Sequence, residues 1–199
     1  ASTDHTADII RDYARRYPNI IHPILRQENI GATNNLYDLL IRARGCYIAN
    51  LEGDDYWTDS EKLQSQVDWL DRHPENIGSY HLCTVVDEMG NNVQKPNWIS
   101  EKQTFRFMDF QGLFLPGHPS SWLYRNIYKE PQYDYSIITK AHSVIADRTI
   151  AMLLLAQGDF ALIPKAMSCY RSIKKTDGEN ATSQIFVNQD NSKYVEYRL

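Results

Sequence analysis

Cys46-Tyr47-Ile48-Ala49-Asn50-Leu51-Glu52-Gly53-Asp54-Asp55-Tyr56-Trp57 places an apolar run directly before three acids crowded into four positions. Such a run, flanked by turn residues, reads as a buried strand that delivers carboxylates to the rim of a sheet. Like charges this close raise each other's pKa, and they are comfortable only when solvated or neutralised by a cation. Glu52, Asp54 and Asp55 are therefore candidate metal ligands. The same letters also fit a solvated acidic turn.

Outward from this stretch, helical and extended patterns alternate. Residues 4–17 form an amphipathic helix, and the letters before it, Ala1-Ser2-Thr3-Asp4, read as loop and cap, so a strand is expected ahead of residue 1. A short apolar strand at 19–25 leads through Arg26 and the Asn29-Ile30-Gly31 loop into a helix at 32–44, with Leu36, Leu39 and Leu40 on one face and Gly45 ending it. After the strand 47–51, Asp59 caps a third helix reaching Arg72, with Leu63, Val67 and Leu70 as its apolar face. A strand at 77–86 follows. The second half holds a polar hairpin or loop at 87–103, a short helix at 105–114, a strand at 120–124 and an aromatic loop at 130–137. A helix at 143–157, stopped by Gly158, and a strand at 160–163 complete it. This alternation predicts an α/β fold with a Rossmann-like, mainly parallel central sheet flanked by helices and a smaller mixed region. Ligands of such sheets bind at the carboxyl ends of the strands, where the acidic cluster falls.

Composition narrows the function. The 199 residues, 42% hydrophobic, suffice for one core, and a net charge of -4 offers no broad basic surface for nucleic acid. Cys46, Cys83 and Cys169 lie far apart with no C-x-x-C spacing, which argues against a disulfide framework or zinc site and for a reducing, cytosolic setting. No apolar run reaches the roughly 18 residues needed to span a bilayer, so a soluble chain is expected, with peripheral contact at the cytoplasmic face of a membrane left open.

Taken in order, Ser2-Thr3-Asp4, Asn29-Ile30-Gly31 with Asn34-Asn35, Ala43-Arg44-Gly45, Glu52-Gly53-Asp54-Asp55, Asp147 and Ser168-Cys169-Tyr170-Arg171 resemble the family-2 glycosyltransferases over residues 1–172. Each motif alone is weak, and five in order are strong. The resemblance implies a GT-A-type fold in a single catalytic domain over 1–199: a nucleotide-sugar half at 1–87, an acceptor and catalytic half at 88–172, and a mobile tail or flap at 173–199. It implies a nucleotide-sugar donor, expected to be a UDP-sugar, and a carbohydrate or lipid-linked acceptor. In that family Mg²⁺ or Mn²⁺ bridges the acidic motif and the diphosphate, which makes Asp54 and Asp55 the metal ligands here, with Glu52 standing where an aspartate is usual.

Asp147 resembles the family's general base, although Ala146 replaces the common preceding Glu, and an Asp in a helix's first turn also serves the helix dipole. Asn29 and Gly31, with Asn35, are expected on the base and ribose side or in a plain turn with a helix cap, Arg26 within reach of an anion, Asp4 in the first helical turn or at the nucleoside, and Arg171 at the diphosphate or in a surface ion pair. His118, Ser120 and Ser121 are expected on the acceptor side, with Trp57, Trp98 and Trp122 available for sugar stacking or for the core. A Gln/Arg-x-x-Arg-Trp motif of processive synthases is missing, so transfer of single sugars with inversion is expected, in surface polysaccharide or glycolipid synthesis. Two other classes fit less well. A sugar nucleotidyltransferase lacks support because no Gly-rich basic loop is present, while a degenerate carbohydrate-binding homologue is allowed by Glu52 and Ala146.

Overall fold

In the computed structural model, which describes residues 2–130, 132–142 and 145–172, the fold is organised by one long pairing of two apolar strands. The chain runs α1 (Thr6–Arg16), α2 (Ala32–Arg42), β1 (Tyr47–Ile48), β2 (Tyr56–Trp57), α3 (Lys62–Arg72), β3 (Asn76–Val86), β4 (Ile99–Ser100), β5 (Thr104–Phe105), α4 (Phe107–Phe110), β6 (Leu115–Pro116), β7 (Leu123–Arg125), α5 (Ile137–Ala141), α6 (Asp147–Leu155) and β8 (Asp159–Arg171). The expected tail at 173–199 lies outside the described residues.

The main sheet has the order β1-β7-β3-β8-β2, with β5 also on β8, and β4 and β6 form a separate parallel pair. β3 and β8 run parallel from Asn76↔Asp159 to Val86↔Arg171. β3 shows the nearly continuous burial of a strand covered on both faces, whereas β8 is buried at 160–162 and 167–169 and exposed at 164–166 between them. The pairings of β1 with β7, β7 with β3, β2 with β8 and β5 with β8 are short and antiparallel. The α/β expectation therefore holds, while the sheet is mixed and its parallel character resides in the one long pair.

Several predicted elements differ. Residues 19–25 join no strand among the described residues: the segment opens in a turn, where the Ile20 and Ile21 N–H groups donate to the Tyr17 carbonyl at 3.1 and 2.9 Å, and Ile20 is 77% exposed. β8 outruns the predicted strand at 163 because Pro164, which cannot donate to a ladder, is absorbed by a register shift: His81 pairs with Ile163 and Leu82 with Ala166. The helix predicted at 105–114 shortens to α4, since Gln111 adopts a left-handed φ of 43°. At 120–124 the expected strand begins late, a 3-10 turn occupying Pro119–Ser121 before β7.

Trp122, Tyr80, Tyr124, Phe160, Ile150 and Leu154, all fully buried, centre the core where α6 meets the sheet. Gly78 is required there, because a Cβ at that position would lie 2.4 Å from the Phe160 ring. Of the predicted face of α3, Leu70 is fully buried and Val67 half-buried, but Leu63 is displaced from it by two polar residues. Lys62, Gln66 and Leu70, spaced four apart, are buried, whereas Leu63 is 40% exposed.

His81 on β3 is also fully buried, with Nδ1 2.8 Å from the Leu82 carbonyl and Nε2 without a partner. Burial holds the imidazole down at about 4. The folded pKa lies below the ordinary 6.5, so the unfolded chain takes up the proton first and stability is lost as pH falls from about 6.5. Between pH 7 and pH 5 the parent is expected to lose about 2 kcal/mol more unfolding free energy than His81→Leu. Urea denaturation at the two pH values checks this, and equal losses would contradict it.

Candidate active site

β1 and β2 stand at opposite ends of the strand order, so residues 49–55 between them cross the ends of β7, β3 and β8. Asn50 is tied at the start of this crossing by the Tyr124 hydroxyl, which donates to its Oδ1 at 3.3 Å. At the far end the Asp55 carboxylate accepts the Arg171 backbone N–H at 3.1 Å, at the carboxyl end of β8. The acidic cluster thus lies at the carboxyl ends of the parallel pair, as the sequence pattern predicts.

Asp55 is 7% exposed. Its Oδ2 faces Nδ1 of the buried His118 at 3.4 Å, but that nitrogen already accepts the Ser120 N–H at 3.3 Å and touches Ser120 Oγ at 2.9 Å. Burial pushes His118 down to about 3, so the ring is neutral. A neutral ring accepting at Nδ1 carries its proton on Nε2 and has none to give Asp55. Asp55 Oδ2 is accordingly a buried oxygen without a hydrogen-bond partner. Burial, and after the opposing Arg171 N–H the charge of Asp54, bring Asp55 up to about 6.

Glu52 is exposed over more than a third of its surface. Its carboxyl nevertheless lies deep enough, and close enough to Asp147, Asp55 and Asp54 in that order of effect, to be pushed up to about 7. Asp147, the first residue of α6, is itself raised by burial, with Arg148 opposing. The fold therefore brings a residue from the second half of the chain into the field of the acidic cluster. These are hard oxygen donors of the kind Mg²⁺ or Mn²⁺ prefers. Among the described residues no three His, Cys, Asp or Glu side chains converge tightly enough to hold an ion unaided. With its unsatisfied Oδ2, Asp55 fits a cation whose shell is completed by ligand oxygens and water.

The other predicted residues are placed as follows. Arg171 meets the cluster through its backbone N–H, while its guanidinium lies 6.0 Å over the Tyr56 ring. Asp4 lies one residue before the N-cap His5 and accepts the Thr6 N–H at 3.0 Å in the turn that enters α1. Asn29 accepts the Gly31 N–H at 2.9 Å, and Gly31 enters α2 with φ 83°. Arg26 donates to Asn35 at 2.9 Å and pairs with Asp38, which also binds Arg42. The hydrogen bonds of this group are local. A hollow of about 220 Å³ beside Asn97, Lys102, Asp109 and Phe114 is lined by none of Glu52, Asp54, Asp55 and Asp147, so charge rather than concavity marks the candidate site.

His118 stacks on Tyr170 at 4.1 Å, with Trp98 tilted against both. Trp122 is fully buried and donates to the Pro116 carbonyl, so it belongs to the core. Trp57 covers the Lys62 ammonium at 4.2 Å. Sequence reasoning missed the Asp55–His118 contact and the buried Lys62 and Gln66. The four-residue repeat of Lys62, Gln66 and Leu70 was the signal for the latter.

Comparison with known proteins fits this geometry. Residues 1–130 match the model described as Glycosyl transferase family 2. The uncharacterised protein Rv1520 of Mycobacterium tuberculosis is 39% identical over 173 residues, 86% of this chain and 47% of its own. The provisionally named teichuronic acid biosynthesis glycosyltransferase TuaG of Bacillus subtilis is 38% identical over 69 residues, 35% of this chain and 27% of its own. The crystal structure of S. aureus TarS 1-349 superposes with a TM-score of 0.59 at 16% identity, covering 86% of this chain and 49% of that one. This chain spans about half the length of Rv1520 and of that TarS structure.

Proposed function

The chain belongs to glycosyl transferase family 2, and from that premise we propose that it moves a single sugar from a UDP-sugar to an acceptor hydroxyl with inversion. The observation that carries this reading is that Asp147, from the second half of the chain, lies close enough to Glu52 of the acidic cluster for its charge to raise the Glu52 carboxyl.

The acceptor oxygen attacks the anomeric carbon, the bond from that carbon to the diphosphate oxygen breaks, and the hydroxyl proton passes to the Asp147 carboxylate. A carboxylate raised by burial is a better proton acceptor than one in water, which suits a base that works near neutrality. Asp55, with Asp54 beside it, would hold Mg²⁺ or Mn²⁺, whose charge supplies Lewis-acid help to the departing diphosphate. The Glu52 carboxyl, raised by burial and by the charges of Asp147, Asp55 and Asp54, stands beside this pair. Arg171, whose guanidinium lies 6.0 Å over the Tyr56 ring, would pair with the diphosphate.

A carbohydrate or lipid-linked acceptor in surface polysaccharide or glycolipid synthesis is supported by the name of TuaG. A cytoplasmic setting is supported by three free thiols, Cys46, Cys83 and Cys169. No helix among the described residues is long and apolar enough to cross a membrane. Calorimetry with UDP, GDP, ADP and CDP in the presence of Mn²⁺ tests the reading: UDP is expected to bind, and only with the cation. Failure of all four to bind with Mn²⁺ present would remove it.

A further inference from the structure

Directly after the acidic cluster, the segment from Trp57 to Gln66 spends three side chains on three consecutive backbone carbonyls. Trp57 Nε1 donates to the Ser120 carbonyl at 3.0 Å. Gln66 Nε2 donates to the Ser121 carbonyl at 3.0 Å and reaches Ser79 as well. Lys62 Nζ donates to the Trp122 carbonyl at 3.4 Å. These carbonyls belong to the turn that carries His118, whose ring is oriented by Ser120 and faces Asp55.

Lys62 is the unusual member. It is fully buried, makes no ion pair among the described residues, and has the Trp57 ring as its only aromatic cover. Burial holds the amine down at about 7, and a buried amino group without a carboxylate is costly to folding whether charged or neutral, so an apolar side chain of similar length is commonly the more stable choice there. A residue that violates the rules of stability is expected where geometry serves a site.

Resting on the donor reading above, we infer that Lys62 is a positioning residue: with Trp57 and Gln66 it clamps the Ser120–Trp122 backbone to the strand leaving the acidic cluster, and so sets His118 against Asp55. Strand β2 carries Trp57 two residues after Asp55, and α3 carries Lys62 and Gln66, so the turn is held to both elements that follow the carboxylate. The turn itself is tight. Gly117 has φ 67°, and a Cβ there would meet Ser121 and Tyr80 at 2.7 Å, leaving the turn little room to settle elsewhere. Loss of a donor frees a carbonyl and lets the turn shift relative to β2.

The test uses the whole chain with Lys62→Met and Gln66→Met. Carbon-edited NMR follows the His118 imidazole, identified by its loss in His118→Gln, and the signal is expected to move in both variants. Thermal unfolding of Lys62→Met is expected to match or exceed that of the parent, while its UDP affinity with Mn²⁺ falls about tenfold. Imidazole signals unchanged in both variants overturn the assignment. Parent-level UDP affinity in Lys62→Met does the same, and so does a lowered unfolding temperature, which would make the lysine a stability element. A parent that binds no UDP with Mn²⁺ counts against the donor reading alone, because the imidazole signals still decide the clamp.

Discussion

Exchange of Asp147 for Asn is expected to cut sugar transfer about a thousandfold while leaving UDP binding with Mn²⁺ close to the parent value. The amide keeps the shape of the carboxylate, so α6 and its packing are preserved, yet it cannot take the acceptor proton. It also removes one negative charge from beside Glu52. An interaction made only in the transition state appears in kcat rather than in KM, and that is the pattern to measure. Asp147 lies beyond the residues matched by the family model, so its role rests on position: it opens α6 and acts on Glu52 across 95 residues of chain. Normal turnover with normal binding in Asp147→Asn would withdraw the base and leave the diphosphate site standing.

The second large effect is at Asp55. Asp55→Asn is expected to weaken cation-dependent UDP affinity at least ~100-fold, since removal even of groups that only support a metal ligand costs ten- to a hundredfold. The free protein should nevertheless unfold at a higher temperature. Burial already pushes this carboxyl up to about 6, which means the folded chain holds an ionised group at neutral pH against its preference. The neutral amide relieves that cost of holding a buried charge. Opposite movements of affinity and unfolding temperature are the signature of a functional group kept at the expense of the fold. A variant that melts lower and binds UDP normally would exclude Asp55 from the site.

Much of this was legible in the letters alone. The strand-to-cluster transition at 46–57 located the carboxyl end of the sheet, because a strand's apolar run and the polar residues that terminate it are adjacent in sequence. β3 was found almost residue for residue, since burial on both faces leaves an uninterrupted apolar stretch. β8 was cut short at Pro164 because only the three-dimensional register shift shows how the ladder steps around a proline. The face of α3 was partly misassigned for a different reason. Hydrophobic periodicity assumes that buried means apolar, and Lys62 and Gln66 are buried to hold carbonyls sixty residues away in the chain. The Asp55–His118 contact likewise joins residues far apart in sequence, and no local pattern encodes it.

The crossing from Asn50 to Asp55 has one more consequence. It joins the two outermost strands of the main path, each only two residues long. Strands that short contribute little cooperativity of their own. Whatever grips the acids in the middle of this span also fastens both margins of the sheet, so recognition and completion of the architecture become a single event. Part of the intrinsic affinity for a ligand is then consumed in ordering the protein, and fragments that reach only one end of the span will look weaker than their contacts suggest.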